Sequence, residues 1–143
     1  MFNRYSIILF FSMVFFIVNG CKKNVETTTV PIVTVNVTLY TNTPSFLPLN
    51  TIGGWVYVSG GVRGIIVYRY SDTEFRAYER NCTYEPSNSC ATVSVDNTNI
   101  VAVDTCCGSQ FTIVDGNVIQ GPARSSLVQY ATYYDGNVLT ISN

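Results

Sequence analysis

The sequence predicts a small all-β domain, and three observations carry that expectation. Residues 32–40 (I-V-T-V-N-V-T-L-Y) alternate apolar with polar side chains, the period of a strand with one buried face. Short apolar runs then recur between Gly, Asp-Gly and Pro signals, the spacing of a sandwich or barrel. No segment of the chain beyond its first residues sustains a capped helical period. Composition agrees, because charged residues make up only 12% of the chain and tyrosines number ten. Low charge with many Tyr, Val, Ile and Thr residues suits pleated, half-buried surfaces.

Taken in order, Ile32–Tyr40 is the first expected strand, and Thr41–Pro44 turns the chain. Phe46–Asn50 and Trp55–Val58 read as short strands separated by Gly53-Gly54. After Gly60-Gly61, the run Gly64–Tyr70 is the most apolar strand candidate outside the N-terminal run. Asp72-Thr73 turns it into a partner strand, Glu74–Arg80. Gln110–Val114, Val118-Ile119, Leu127–Tyr133 and Val138–Ser142 complete the set. They are punctuated by Asp115-Gly116, Gly121-Pro122 and Asp135-Gly136, and the two Asp-Gly steps are ordinary tight-turn chemistry. Neither a second domain nor an internal repeat is visible.

The N-terminus reads differently. Arg4 precedes an apolar run, Ile7–Val18, of signal-peptide length, and Asn19-Gly20 leads to Cys21. The run is shorter than the ~20 residues a spanning helix wants. The pattern resembles a bacterial lipobox, which implies cleavage after Gly20 and lipidation of Cys21. Residues 1–20 are therefore expected to be a lipoprotein signal peptide, the polar and Thr-rich residues 21–30 a tether, and residues 31–143 the β domain. The expected location is the bacterial cell envelope, lipid-anchored, on its periplasmic or outer-membrane side. The formal net charge of −1 implies neither nucleic acid nor an acidic polymer as a partner. The expected partners are the membrane, through the lipid, and an envelope protein the sequence does not name.

Export sets the redox compartment, where thiols tend to end in disulfides. Besides Cys21 the cysteines are Cys82, Cys90, Cys106 and Cys107, and four cysteines allow three pairings. A bond between the neighbours Cys106 and Cys107 departs far from ordinary disulfide geometry. Both other pairings tie the 82–90 loop to the 106–107 loop.

The stretch Asp104–Pro122, D-T-C-C-G-S-Q-F-T-I-V-D-G-N-V-I-Q-G-P, resembles the second cluster-binding loop of the Rieske [2Fe–2S] family. That loop runs Cys-Pro-Cys-His-Gly-Ser-x-Phe and leads through a tight hairpin to a Gly-Pro-Ala corner. Asp104 stands at the ligand Cys, Thr105 at the proline, Cys106 at the disulfide cysteine and Cys107 at the ligand His. Upstream, Phe75-Arg76-Ala77-Tyr78-Glu79-Arg80-Asn81-Cys82-Thr83-Tyr84 follows the family's first loop, with Cys82 at the ligand Cys and Tyr84 at the ligand His. Downstream, Gly121-Pro122-Ala123 and Leu127 to Tyr130 follow the family's corner. The resemblance spans roughly Val35 to Ser142 and implies an all-β, Rieske-like small antiparallel sandwich or barrel with two stapled loops at one tip.

What the resemblance implies for chemistry turns on ligands. A Rieske cluster uses two thiolates on one iron and two imidazoles on the other, and this chain contains no histidine. Cys82, Tyr84, Asp104 and Cys107 are a poor set for such a centre, so no cofactor is expected, with a [2Fe–2S] cluster as the alternative. The family's bridge from the first loop implies Cys90–Cys106, although Ser87 occupies the usual partner's place. Cys82–Cys107 then follows as a second disulfide where the cofactor would be. A redox-active Cys82–Cys107 pair is a further alternative. It needs a cation to depress a thiol pKa; Arg80 is near, but Glu79, Glu85 and Asp104 oppose it.

Catalysis is not expected. Asp104 and Glu85 form at best a carboxylate pair, and the commonest general base is absent. Tyr68, Tyr70, Tyr130, Tyr133 and Tyr134 fit sheet packing. Arg63, Arg69, Arg76 and Arg80 read as solvated charges on the hairpin. The expected function is that of a lipid-anchored structural or interaction module that has lost its cluster; the alternatives are electron transfer and thiol–disulfide exchange.

Overall fold

The computed structural model describes residues 29–143, so the expected signal peptide, Cys21 and most of the tether lie outside the described residues. Ten antiparallel strands form two sheets. The larger has six strands in the order β1 (Asn36–Tyr40), β10 (Val138–Ser142), β9 (Gln129–Tyr134), β4 (Phe75–Glu79), β3 (Ile65–Arg69) and β2 (Trp55–Val58). The smaller runs β5 (Val93–Val95), β6 (Val101–Asp104), β7 (Gln110–Thr112) and β8 (Val118–Gln120). This is the all-β, antiparallel architecture expected. Among the described residues no helix is long and apolar enough to cross a membrane.

The apolar run in β3 has a simple cause, since both of its faces are covered. Ile65 and Val67 pack with Leu39, Phe75, Ala77, Leu139 and Ile141 in one core. Ile66 and Tyr68 face the other way, into a second core with Tyr78, Val93, Phe111 and Ile113. Alternate residues of one strand thus serve two cores. β4 does the same, with Ala77 in the first and Tyr78 in the second. The register Ile66↔Tyr78 and Val67↔Ala77 locks the two strands together. Cys82, just beyond β4, belongs to the second core, so the candidate site sits on the side of the small sheet.

Three expectations are corrected. Phe46–Asn50 is not a strand; Pro44–Asn50 forms a short 3-10 helix. Pro44 and Pro48 lack the N–H groups that a ladder requires, and the turn buries Leu49 against the first core. The first strand begins at Asn36 rather than Ile32, which is 93% exposed. Strands β5 and β6, absent from the reading of the sequence, pair across an Asp96–Asn99 turn and carry Asp104 at their end.

A buried carboxylate supports the larger sheet. Glu79, at the end of β4, accepts hydrogen bonds from the N–H groups of Val62 (2.6 Å), Arg63 (2.9 Å) and Asn81 (2.8 Å), and from the Tyr130 hydroxyl (2.7 Å). Four donors satisfy a group that burial alone would penalise heavily. Gly61, with φ +64, lies against this carboxylate so closely that a Cβ there would overlap it.

Candidate functional site

Three loops meet at one end of the small sheet. The first runs from Asn81 to Ala91, and the Cys82 N–H donates to the Ala91 carbonyl (3.1 Å) to close its base. The second, between β6 and β7, is a tight turn. The Asp104 N–H donates to the Ser109 carbonyl (2.9 Å), and the Gly108 N–H returns to the Asp104 carbonyl (2.8 Å). Gly108 takes φ +80, a conformation that its lack of a Cβ makes inexpensive. The third follows the cis Gly121–Pro122 peptide.

Cross-links fix these loops relative to one another. A disulfide joins Cys90 to Cys106, with a Cα–Cα distance of 5.7 Å. The Arg63 guanidinium donates to the carbonyls of Ser89 (2.9 Å) and Asn88 (3.0 Å), clamping the first loop to the turn before β3. The Thr83 hydroxyl donates to the Ser125 carbonyl (2.6 Å), and the Ala123 N–H to Ser109 Oγ (2.9 Å).

Within this frame, Cys82, Asp104 and Cys107 converge. Their ligand atoms all lie within 4.8 Å of one another. Cys82 and Asp104 are fully buried and Cys107 partly so. The two Sγ atoms are 3.9 Å apart, and the expected Cys82–Cys107 disulfide is absent: both are free cysteines. The reason is local. Cys107 Sγ donates toward Asp104 Oδ2 (3.3 Å), contacts Ser109 Oγ (3.0 Å) and accepts the Ser109 N–H (3.4 Å). Asp104 Oδ1 meanwhile accepts the Cys106 N–H (2.8 Å). Ser109, buried and bonded to both Cys107 and the third loop, escaped the sequence reading. Its position two residues past Cys107 was the available signal.

Burial pushes the Cys82 thiol well above its usual range, and the neighbouring Asp104 carboxylate pushes the same way. Such a thiol is a weak nucleophile near neutral pH. Among the described residues no cation counters this. Arg80 turns away, donating through Nε to the Val93 carbonyl (3.0 Å) with its guanidinium 3.9 Å from the centre of the Tyr57 ring. Arg69 and Arg76 are also engaged rather than freely solvated. Arg69 donates to the Leu49, Ser71 and Asp72 carbonyls, and Arg76 pairs with Glu74 at 2.6 Å.

Tyr84 and Glu85 border a cleft of about 230 Å³ whose walls also include Asn88, Asp104, Cys107 and Pro122. The Glu85 carboxylate raises the pKa of the Tyr84 phenol, whose ring is half-buried against the second core. Glu85 and Asp104 thus share a cleft, but Asp104 is committed to Cys106 and Cys107. The structure gathers three of the four ligand-equivalent positions into one contact group and leaves Tyr84 on the cleft wall.

The donors do not fit a Rieske-type [2Fe–2S] centre. A two-imidazole iron has no ligand in a chain without histidine. Among the described residues four free thiols are not available either, because Cys90 and Cys106 are bonded to each other.

No family model matches the chain, and no curated protein does. Among solved structures it is similar to the crystal structure of the cyanobacterial plasma membrane Rieske protein PetC3 from Synechocystis PCC 6803. The two are 26% identical, with a TM-score of 0.53 over 75% of this chain and 97% of that one. Two stacked antiparallel sheets, three loops converging at one end and this likeness lead to one conclusion: the chain has the Rieske-like fold.

Proposed function

We propose that the chain is a lipid-anchored, extracytoplasmic Rieske-like domain that carries no [2Fe–2S] cluster and serves the bacterial envelope as a structural or interaction module. The observation that carries this reading is the donor set. Two thiols and a carboxylate gather at three of the four ligand-equivalent positions, and the chain has no imidazole to supply the two that a Rieske cluster needs. A rigid loop tip, held by the Cys90–Cys106 bridge and the Arg63 clamp, is a suitable contact surface. The envelope location rests on the lipobox-like N-terminus, and the plasma-membrane origin of the similar protein agrees with it. The role is read as non-catalytic, since the chain has no histidine, the commonest general base, and Asp104 is already engaged by Cys106 and Cys107.

Thiol–disulfide exchange is a second reading, favoured by the 3.9 Å between Cys82 and Cys107. The burial of Cys82 and the carboxylate beside it weigh against it.

The test is reconstitution with iron and sulfide of the full chain in detergent, beside the triple variant Tyr84→His, Asp104→Cys, Cys107→His. The native chain is expected to remain colourless and the variant to take up a cluster. A native chain that assembles a [2Fe–2S] centre overturns the reading in favour of electron transfer. If neither chain takes one up, the alignment of the two loops is wrong.

A further inference from the structure

We propose that Cys82, Asp104 and Cys107 form a mononuclear site for a thiophilic divalent cation of the zinc class. The inference rests on the cluster-free reading above and names the ligand of the same loops.

Geometry is the first argument. Tetrahedral zinc with Zn–S bonds of about 2.3 Å and a Zn–O bond of about 2.0 Å holds two sulfurs about 3.8 Å apart and a sulfur about 3.5 Å from an oxygen. Here the sulfurs stand 3.9 Å apart, and Cys107 Sγ lies 3.3 Å from Asp104 Oδ2. Two edges of a tetrahedral face are therefore already close to these lengths, and all three ligand atoms lie within 4.8 Å of one another.

Charge is the second argument. Asp104 is a fully buried carboxylate, and among the described residues no arginine or lysine pairs with it. A buried charge without a partner is costly, and a bound cation supplies the partner. Binding releases the two thiol protons, leaving two thiolates, one carboxylate and a dication with a net charge of −1. Two thiolates select a soft or borderline metal over magnesium or calcium.

The supporting shell is the third argument. Asp104 Oδ1 is held by the Cys106 N–H, and Cys107 Sγ accepts the Ser109 N–H. Such outer bonds orient ligands and are part of a metal site. Asp104 and Cys107 also line the cleft, so the fourth position of the ion opens onto it. Three protein ligands with one open position leave room for water or a small ligand.

The experiment is anaerobic titration of the full chain in detergent with Co2+, followed by displacement with Zn2+. Metal and acid-labile sulfide contents of the chain as purified are measured alongside. The expected result is one metal per chain, with thiolate-to-cobalt charge-transfer absorption that Zn2+ abolishes. Cys107→Ser and the isosteric Asp104→Asn, each checked for native circular dichroism, should weaken binding by at least the roughly 10–100-fold that loss of an outer-shell partner costs. Absence of cobalt binding, or a Cys82–Cys107 disulfide found by intact mass, overturns the metal site and leaves the cluster-free reading intact. Retained affinity in both variants also overturns the site. Two irons with two sulfides overturn the reading on which it rests.

Discussion

Tyr130 on β9 donates its hydroxyl to the buried carboxylate of Glu79 at the end of β4, 2.7 Å away, and so fastens the two strands where the larger sheet meets the loop end. The same carboxylate holds the turn at Val62 and Arg63, from which the Arg63 side chain reaches the first loop. The candidate site is therefore supported from the sheet through a hub of polar contacts.

Glu79→Gln turns an acceptor-only group into one that presents N–H to N–H. It should cost about 2–4 kcal/mol, and Tyr130→Phe about 1–3 kcal/mol, because buried partners are left unsatisfied. Urea denaturation checks both. Losses below about 0.5 kcal/mol, the scale of ordinary surface changes, would show that the hub is dispensable.

Alkaline pH should destabilise the domain. Burial raises the Tyr78 pKa to about 12, and burial together with Glu79 raises that of Tyr130. A raised folded-state pKa means that the native state holds its proton more tightly than the unfolded chain. Stability is then complete below the ordinary tyrosine value of about 10 and is lost as pH rises from there through the folded value. Tyr78→Phe, which gives up only a 3.4 Å bond to the Val114 carbonyl, should make the decline shallower. A Tm that stays level above pH 10 would contradict this.

Gly116 is a point where backbone and side chain meet closely. It has φ +76, and a Cβ there would come 2.7 Å from Tyr78 Cε1. Gly116→Ala combines backbone strain with overpacking and should cost about 2–4 kcal/mol. Gly136→Ala, also at positive φ but in open space, should cost about 1 kcal/mol. Equal losses at the two sites would show that packing around Tyr78 is not the cause.

Much of this was legible in the sequence because its signals are local. Alternation in the first strand, the apolar run of β3 and the Asp-Gly turns each follow from nearest-neighbour chemistry. What was missed depends on long-range contact. The Val-Ser-Val of β5 is too short to stand out before it pairs with β6. Pro44 and Pro48 decide Phe46–Asn50 against the apolar pattern. Arg80 read as a solvated charge, yet it stacks on Tyr57, and its neighbour Glu79 is buried under four donors. At the site, the cysteine positions were legible, whereas the state of Cys107 depends on Asp104 and Ser109 as three-dimensional neighbours.

Removing the Cys90–Cys106 bridge tests how far the loop tip depends on it. The bond closes a loop with a sequence separation of 16, so the double variant Cys90→Ser, Cys106→Ser should lose about 3 kcal/mol. Proteolysis of the native state should then begin within 81–91. An unchanged cleavage pattern would mean that Arg63 and Thr83 hold the loop alone.

The most direct measurement is a cysteine-by-cysteine alkylation map of the full chain, denatured without reductant in the presence of a chelator. The account predicts adducts on Cys82 and Cys107 and none on Cys90 and Cys106, the pattern of one bridge beside an open thiol pair. Four unmodified positions would contradict it by placing a second disulfide where the thiol pair stands, and four adducts by removing the bridge that joins the loops.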